Sequence, residues 1–124
     1  MKNSIRYIMI TGATGGIGNT IVTQAIASGF TVIATGNNQQ RLTKLQKQFG
    51  KECVITYKIN LSDFDAFGAF GRFVKKQTHG KIEWLIHSAG FIDTKEPSLK
   101  LNKQIIAKTF LINTESVIAL TYLL

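Results

Sequence analysis

The sequence has little cysteine, little proline and little acidic charge, and each shortage excludes a class of protein. Its 124 residues hold one Cys and one Pro, and 15 Lys and Arg against 7 Asp and Glu give a net charge of +8. A single cysteine, Cys53, excludes an internal disulfide and a cysteine-based metal cluster, which predicts a reducing, cytoplasmic setting. The single proline, Pro97, excludes a proline-rich linker. The length fits one domain and excludes two ordinary ones.

Long hydrophobic runs are also absent. The apolar residues that follow Lys2 and Arg6 stop at Thr11, which is too early for a signal-peptide core. Residues 117–124 form the longest largely apolar stretch and fall far short of the ~20 residues that cross a bilayer. The sequence therefore predicts no membrane association. Its 44% hydrophobic and 18% charged residues are typical of a globular protein with a sizeable core.

The excess of positive charge raises the question of a nucleic-acid partner. Lys44, Lys47 and Lys51 fall at helical spacing, and Lys75 and Lys76 follow in a later apolar-periodic segment. No aromatic residues are interleaved with these lysines to stack on bases. The pattern favours solvated helix faces over nucleic-acid binding.

Strand and helix signals alternate along the chain. Apolar runs predict strands at residues 5–11, 31–35, 54–59 and 82–86. Helical spacing follows each of them, and the last helix is predicted from about Asn102 to the end of the chain. Ser62 and Asp65 resemble a capping box at the start of the third helix. Four strand–helix units predict an α/β fold with a parallel, doubly wound sheet, because each helix returns the chain to the same edge.

The most informative segment runs from Thr11 to Gly18, between the first strand and the first helix. Its spacing is T-G-x-x-x-G-x-G, which differs from a nucleoside-triphosphate P-loop and from G-x-G-x-x-G. Gly12 would permit a tight turn, while Gly16 and Gly18 would let the helix begin close to the strand. The helix amides would then point at an anion such as a diphosphate.

This spacing, in this position, resembles the short-chain dehydrogenase/reductase family. Three further segments match in order: residues 60–63 (NLSD) after the third strand, residues 87–90 (HSAG) after the fourth, and Asn113 in the last helix. The resemblance implies a Rossmann-type sheet of order 3-2-1-4 and hydride transfer between a nicotinamide and a carbonyl or alcohol carbon. It makes residues 1–124 a dinucleotide-binding domain that is incomplete, with four of the family's strand–helix units.

The resemblance also implies a role for each residue of the site. The diphosphate would lie on the glycine-rich loop, formed by Gly12, Thr14, Gly15, Gly16, Ile17 and Gly18. Asn60 would hydrogen-bond the adenine edge in place of the family's aspartate, and Leu61 would supply a backbone contact. Ser88, Ala89 and Gly90 would lie near the nicotinamide ribose. His87 is expected to brace the sheet rather than move a proton.

The choice between the two nicotinamide cofactors depends on Gly36 and Asn37, after the second strand. An acid at position 36 would bind the ribose hydroxyls and repel a 2′-phosphate, and none is present. Arg41 and Lys44 could reach that phosphate from the second helix. These residues favour NADP, with NAD as the alternative.

The family's catalytic tyrosine and lysine have no match in this sequence. Thr11 and Leu61 stand four residues after Tyr7 and Tyr57, and that position for Tyr122 lies past Leu124. Asn113 is the one catalytic residue that the resemblance identifies. We therefore expect an NAD(P)-binding portion that is inactive by itself and forms a homo-oligomer through the helix at 102–124. The alternative is a non-catalytic nucleotide-binding or dimerisation module.

Overall fold

The computed structural model describes residues 4–90 and 102–124. The strands are β1 (Arg6–Thr11), β2 (Phe30–Gly36), β3 (Val54–Lys58) and β4 (Ile82–His87). The helices are α1 (Gly16–Ala27), α2 (Gln39–Phe49), α3 (Phe67–Thr78), α4 (Lys103–Phe110) and α5 (Ser116–Leu123). A short 3-10 turn (Phe64–Ala66) precedes α3, and a π-helical turn (Leu111–Glu115) joins α4 to α5. The loop predicted around Pro97 lies outside the described residues.

The four strands form one parallel sheet in the order β3-β2-β1-β4, which confirms the predicted α/β class and strand order. Ile10 of β1 lies between Ala34 of β2 and Ile86 of β4. The pairing of β1 with β4 shifts register once, because Tyr7 pairs with Ile82 and Ile8 pairs with Trp84. The sheet order changes direction at β1, so the carboxyl ends of β1 and β4 flank the crevice where such folds bind ligands.

Each face of the sheet has its own apolar core, because alternate strand residues point to opposite faces. One core joins the sheet to α1 and α2 and includes Ile8, Ile10, Val22, Val32 and Leu45. The other joins it to α3 and α5 and includes Met9, Ile33, Phe70, Val74 and Leu120. Helices on both faces explain why the strands read as continuous apolar runs in the sequence.

The last helix begins where the sequence predicts. Asn102 caps α4, since its side-chain oxygen accepts from the backbone N–H of Gln104 at 3.0 Å. Leu120 of α5 is fully buried against the sheet. The other apolar faces remain open, with Phe110 61%, Ile118 63% and Tyr122 90% exposed. Apolar residues therefore surround the last helix, and the residues that the structure describes cover only part of its apolar surface.

The predicted capping box at Ser62 and Asp65 is wrong. The 3-10 turn occupies residues 64–66, and α3 begins at Phe67 with no side-chain cap. The Ser62 hydroxyl instead donates to Asn60 Oδ1 at 2.6 Å. Ser62 lies in a local turn, because the Asn60 side chain accepts hydrogen bonds from nearby donors and so competes with helix formation.

Neither a membrane-spanning helix nor a metal-binding cluster is found among the described residues. None of the helices there combines the length and the apolar character that a membrane crossing requires. Residues 4–90 and 102–124 also contain no group of three or more His, Cys, Asp or Glu residues suited to a metal ion.

Candidate functional site

The glycine-rich loop between β1 and α1 is packed so tightly that two of its glycines admit no side chain. Gly12 has φ +61°, and a Cβ there would lie 2.7 Å from the backbone N and Cα of Ala89. A Cβ on Gly18 would overlap the carbonyl oxygen of Gly12. The loop is also held to β2, because Ala13 N donates to the Thr35 carbonyl at 3.0 Å. The result is a bare backbone surface at the crevice.

The start of α1 faces this surface without any negative charge of its own. Gly15 occupies the N-cap position with no side-chain hydrogen bond, and the first turn contains no acid. The first amides of a helix lack intrahelical acceptors and carry a partial positive charge. Gly16 and Ile17 are exposed there, and a Cβ on Gly16 would meet nothing within 4 Å. The geometry suits a diphosphate group, so the residues present fit a bound dinucleotide.

The end of β4 closes the crevice from the other side. Ala89 N donates to Thr11 Oγ1 at 3.2 Å, which joins the end of β4 to the end of β1, 78 residues apart in sequence. Ser88 and Ala89 are half-buried, and Gly90 is exposed. A Cβ on Gly90 would lie 3.8 Å from Asn113 Oδ1. The site therefore brings residues 88–90 beside both the loop and the last helix.

Asn113 lies in the π-helical turn between α4 and α5. A π turn widens the helix by one residue, and such turns are frequent at functional sites. Asn113 is exposed and stands beside Gly90. The helix distortion thus presents the amide at the open side of the crevice.

His87 connects β4 to α5. Its Nε2 lies 3.0 Å from Thr121 Oγ1, and the Thr121 hydroxyl donates to the Val117 carbonyl at 2.6 Å. Because that hydroxyl has a single proton, His87 Nε2 must be the donor to Thr121. Partial burial lowers the pKa of His87 from its ordinary value of 6.5, which favours the neutral ring. These contacts agree with a bracing role for His87.

A basic cleft lies beside the loop, between α1 and α2. It has a volume of about 340 Å³ and is lined by Thr14, Asn19, Arg41, Lys44, Leu45 and Gln48. Gly36 adjoins it, since a Cβ there would lie 3.4 Å from Thr14 Oγ1. Asn37 is exposed next to it, and Asn38 caps α2 by accepting from Arg41 N at 3.0 Å. Among the described residues no carboxylate lines the cleft, and Arg41 and Lys44 give it positive charge.

Asn60 stands at the same edge of the sheet, after β3. Ile59 N donates to the Gly36 carbonyl at 2.9 Å, which brings this segment beside the end of β2. Asn60 is exposed, whereas Leu61 is half-buried and packs against the core on the α3 side. Asn60 Oδ1 accepts from Ser62 N at 2.9 Å.

The structure thus gathers the predicted residues along one edge of the sheet, from Asn60 through Gly36 and the glycine loop to residues 88–90 and Asn113. Sequence reasoning missed Thr11 as the residue that holds Ala89, and it missed Asn19 and Gln48 in the basic cleft. The position of Asn19 in the first turn of the predicted helix, just after the glycine loop, was the available sequence signal. Nothing in the sequence marks the Thr11 contact, which spans a large separation.

The chain is similar to known proteins over nearly its whole length. A family model described as short chain dehydrogenase matches residues 6–124. An NADPH-dependent 1-acyldihydroxyacetone phosphate reductase of Schizosaccharomyces pombe is 31% identical over 114 residues, which are 91% of this chain and 37% of that protein. A short-chain dehydrogenase of Streptomyces avermitilis, 22% identical, superposes with a TM-score of 0.86 over 100% of this chain and 44% of its own.

A metagenomic short-chain oxidoreductase solved in complex with NADP has the same fold. It is 21% identical, with a TM-score of 0.85 over 98% of this chain and 56% of its own. The chain therefore spans 37% of the Schizosaccharomyces relative and about half of these solved chains.

Proposed function

The chain belongs to the short-chain dehydrogenase family, and from that premise we propose that it is the nicotinamide-dinucleotide-binding portion of an oxidoreductase. The observation that carries the proposal is the close packing of the glycine loop, in which Gly12 lies against the backbone of Ala89 and Gly18 against the carbonyl of Gly12, beside a helix start that carries no side-chain cap and no acid. Beside it, the amides of α1 and the small residues 88–90 would hold the diphosphate and the nicotinamide ribose. When bound, the dinucleotide supplies a hydride donor or acceptor.

We further propose that this chain binds the cofactor but transfers no hydride by itself. Among its tyrosines, Tyr57 packs on Phe70 and Phe73 with ring centroids 5.0 and 4.7 Å apart. Neither Tyr7 nor Tyr57 has a lysine four residues later. Asn113 would position groups at the open side of the crevice. Incubation with NADPH and benzil, a carbonyl acceptor, should give no cofactor oxidation above the blank, and steady oxidation would contradict the proposal.

The binding proposal can be tested at Gly16, where a side chain has room. Gly16→Asp places a negative charge at the start of α1 and should leave the fold intact, because acids stabilise helix N-termini. It should weaken NADPH binding at least tenfold by repelling the diphosphate. Gly16→Asn is the matched control of equal size and should bind much more tightly than the aspartate variant. Calorimetric titration with an equal affinity for all three proteins would contradict this site.

We propose that the preferred cofactor is NADP, because the cleft next to Gly36 is lined by Arg41 and Lys44 and by no acid. A 2′-phosphate there would accept charge-assisted hydrogen bonds, each of which contributes about 1.5–3 kcal/mol. Arg41→Ala and Lys44→Ala should each lower NADPH affinity about tenfold and change NADH affinity little. Lys47→Ala, on the same helix but outside the cleft, is the control. Equal losses for NADPH and NADH would contradict the assignment.

The alternative, a dimerisation module, is favoured by the apolar surface between α3 and α5. A groove of about 610 Å³ there is lined mainly by apolar residues that include Phe64, Phe67, Ile118 and Tyr122. We propose that a second copy of this chain covers it, which agrees with the predicted oligomer through 102–124. Ile118→Lys should shift sedimentation toward the monomer, while Gln40→Lys on the opposite face of the sheet should not. A wild-type chain that sediments only as a monomer would overturn this proposal.

A further inference from the structure

The apolar groove between α3 and α5 runs from the carboxyl edge of the sheet toward the opposite edge. α3 follows the end of β3, and Asn113, just before α5, stands beside Gly90 after β4. Both helices carry the chain back across a parallel sheet, so they run in the same direction. Farther along, a Cβ on Gly71 would lie 4.0 Å from Leu123 Cβ. The groove therefore has two distinguishable ends.

The end at the carboxyl edge is acidic. Among the described residues that line the groove, Glu115 alone carries a charge, and it is exposed. Asp63 and Asp65 flank Phe64, another lining residue, and both are exposed as well. The chain has seven acidic residues and a net charge of +8. Three of its few acids therefore lie together at one end of the groove.

The other end is basic. A Cβ on Gly68, which lines the groove, would lie 3.5 Å from Nη1 of Arg72, so this guanidinium lies along the groove wall. Lys75 is one helical turn beyond Gly71, and Lys76 is one turn beyond Arg72, which places each on the same face as its predecessor. Arg72 and both lysines are exposed. The charge thus changes sign along the groove.

The dipole of α3 accounts for only part of this arrangement. Asp65 precedes α3 and Lys75 lies in its last turn, where charges of these signs stabilise a helix. Glu115 lies inside the continuous helical run 103–123, far from either end, so no helix dipole favours it there. Neither Glu115 nor Lys75 has an ionic partner in the described ranges. Both charges are therefore available to a second molecule.

We propose that a second copy of the chain lies antiparallel across the groove, so that Glu115 of each copy faces Lys75 of the other. The inference rests on the dimer proposed above and adds its orientation. A two-fold interface makes every contact twice, so the acidic end of each copy meets the basic end of its partner. The exposed Ile118 and Tyr122 supply the apolar contact between the two ends. The opposite orientation would place like charges together, which is costly.

Two charge reversals and their mixture test this orientation. Glu115→Lys opposes lysine to lysine at both contacts, and Lys75→Glu opposes glutamate to glutamate. We expect each variant alone to have a dimer dissociation constant at least tenfold above that of the wild type, measured by analytical ultracentrifugation at low salt. An equimolar mixture of the two variants should associate about as tightly as the wild type, because both contacts then join opposite charges.

Glu52→Lys and Lys51→Glu are the matched controls. They make the same changes of charge on the exposed turn before β3, away from the groove. The dimer dissociation constant of each should stay within about twofold of the wild type. Urea denaturation of all four variants in dilute solution checks that the fold is retained, so that a change in association has no origin in unfolding. Added sodium chloride should narrow the difference between the groove variants and the wild type, because salt screens exposed charges.

The outcomes separate the orientation from the dimer itself. A wild-type dimer that either groove reversal leaves unchanged, or that the mixture fails to restore, would overturn the antiparallel pairing while leaving a second copy on the groove. A wild-type chain that stays monomeric at every concentration would overturn the dimer and its orientation together, and would assign the groove to a different occupant. Association that is lost in each variant and regained in the mixture supports both.

Discussion

Two glycines with left-handed backbone show how differently a single residue can be constrained. Gly12 has φ +61° and Gly29 has φ +90°, so both avoid the strain that a side chain brings in this region. Around Gly29 nothing lies within 4 Å of an added Cβ, whereas at Gly12 the backbone of Ala89 lies at 2.7 Å. Position 29 therefore needs glycine only for its backbone conformation. Position 12 needs it both for the conformation and for the close contact with the end of β4.

Gly12→Ala should consequently lower the free energy of unfolding by about 2–4 kcal/mol, because strain and overlap with rigid backbone add. Gly29→Ala carries the strain alone and should cost about 1–2 kcal/mol. Urea denaturation of both variants measures the difference. Equal losses would mean that the loop yields to the added methyl group.

Partial burial of His87 makes the free energy of unfolding depend on pH, and it determines the sign of that dependence. Its lowered pKa means that the folded state resists the proton that the unfolded state accepts near pH 6.5. The free energy of unfolding should therefore fall as pH drops below about 6.5 and level off below the folded-state pKa. His87→Gln should flatten this part of the profile, measured as urea midpoints at several pH values.

His79→Asn is the matched control for the loss of a histidine. His79 has φ +55°, and asparagine tolerates that left-handed backbone. If His87→Gln keeps the wild-type dependence on pH, partial burial of the ring is not its source.

At the scale of the element, α5 carries two unlike faces. Leu120 is fully buried in the core with Met9 and Ile33, whereas Ile118 is 63% exposed. Leu120→Ala should lower the free energy of unfolding by about 2–5 kcal/mol, because it leaves a cavity against the sheet. Ile118→Ala, measured in dilute solution by urea denaturation, should change it by less than about 0.5 kcal/mol. A large loss for Ile118→Ala would show that this face is covered even at low concentration.

The elements were predictable where one physical signal dominates. Apolar runs predicted all four strands, and Asn102 predicted the start of the last helix, because burial and capping are local properties of the sequence. The start of α3 was mispredicted, since the Ser62 hydroxyl bonds to Asn60 Oδ1 and does not accept from a helix N–H. The π-helical turn at Asn113 has no simple sequence signal.

The site was predictable to the extent that its chemistry lies in contiguous residues. The spacing of residues 11–18 predicted the glycine loop, and Arg41 and Lys44, together with the missing acid at Gly36, indicated a basic site. The contact between Thr11 and Ala89 and the inward-facing oxygen of Asn60 depend on side-chain geometry. Neither could be derived from residue type and spacing.

For the whole molecule, the net charge of +8 predicts how salt acts on binding. NADPH carries more negative charge than NADH, and Arg41 and Lys44 line the cleft proposed for the additional phosphate. The affinity for NADPH should fall several-fold between low and high sodium chloride concentration, and more steeply than that for NADH, because salt screens exposed charges. Parallel slopes for the two, measured by calorimetry, would remove the basic cleft as the cause.

The central position of β1 has a consequence in time. One neighbour, β2, follows almost at once, but the other begins at Ile82, about 70 residues after Thr11. At roughly 5–20 residues per second on the ribosome, the nascent chain waits on the order of 4–14 s before β4 emerges. Throughout that interval the β1 edge that carries Met9 and Ile10 has unpaired backbone N–H and C=O groups. Such an edge can pair with another chain. The synthesis of this protein thus has a vulnerable period that ends only when β4 has emerged.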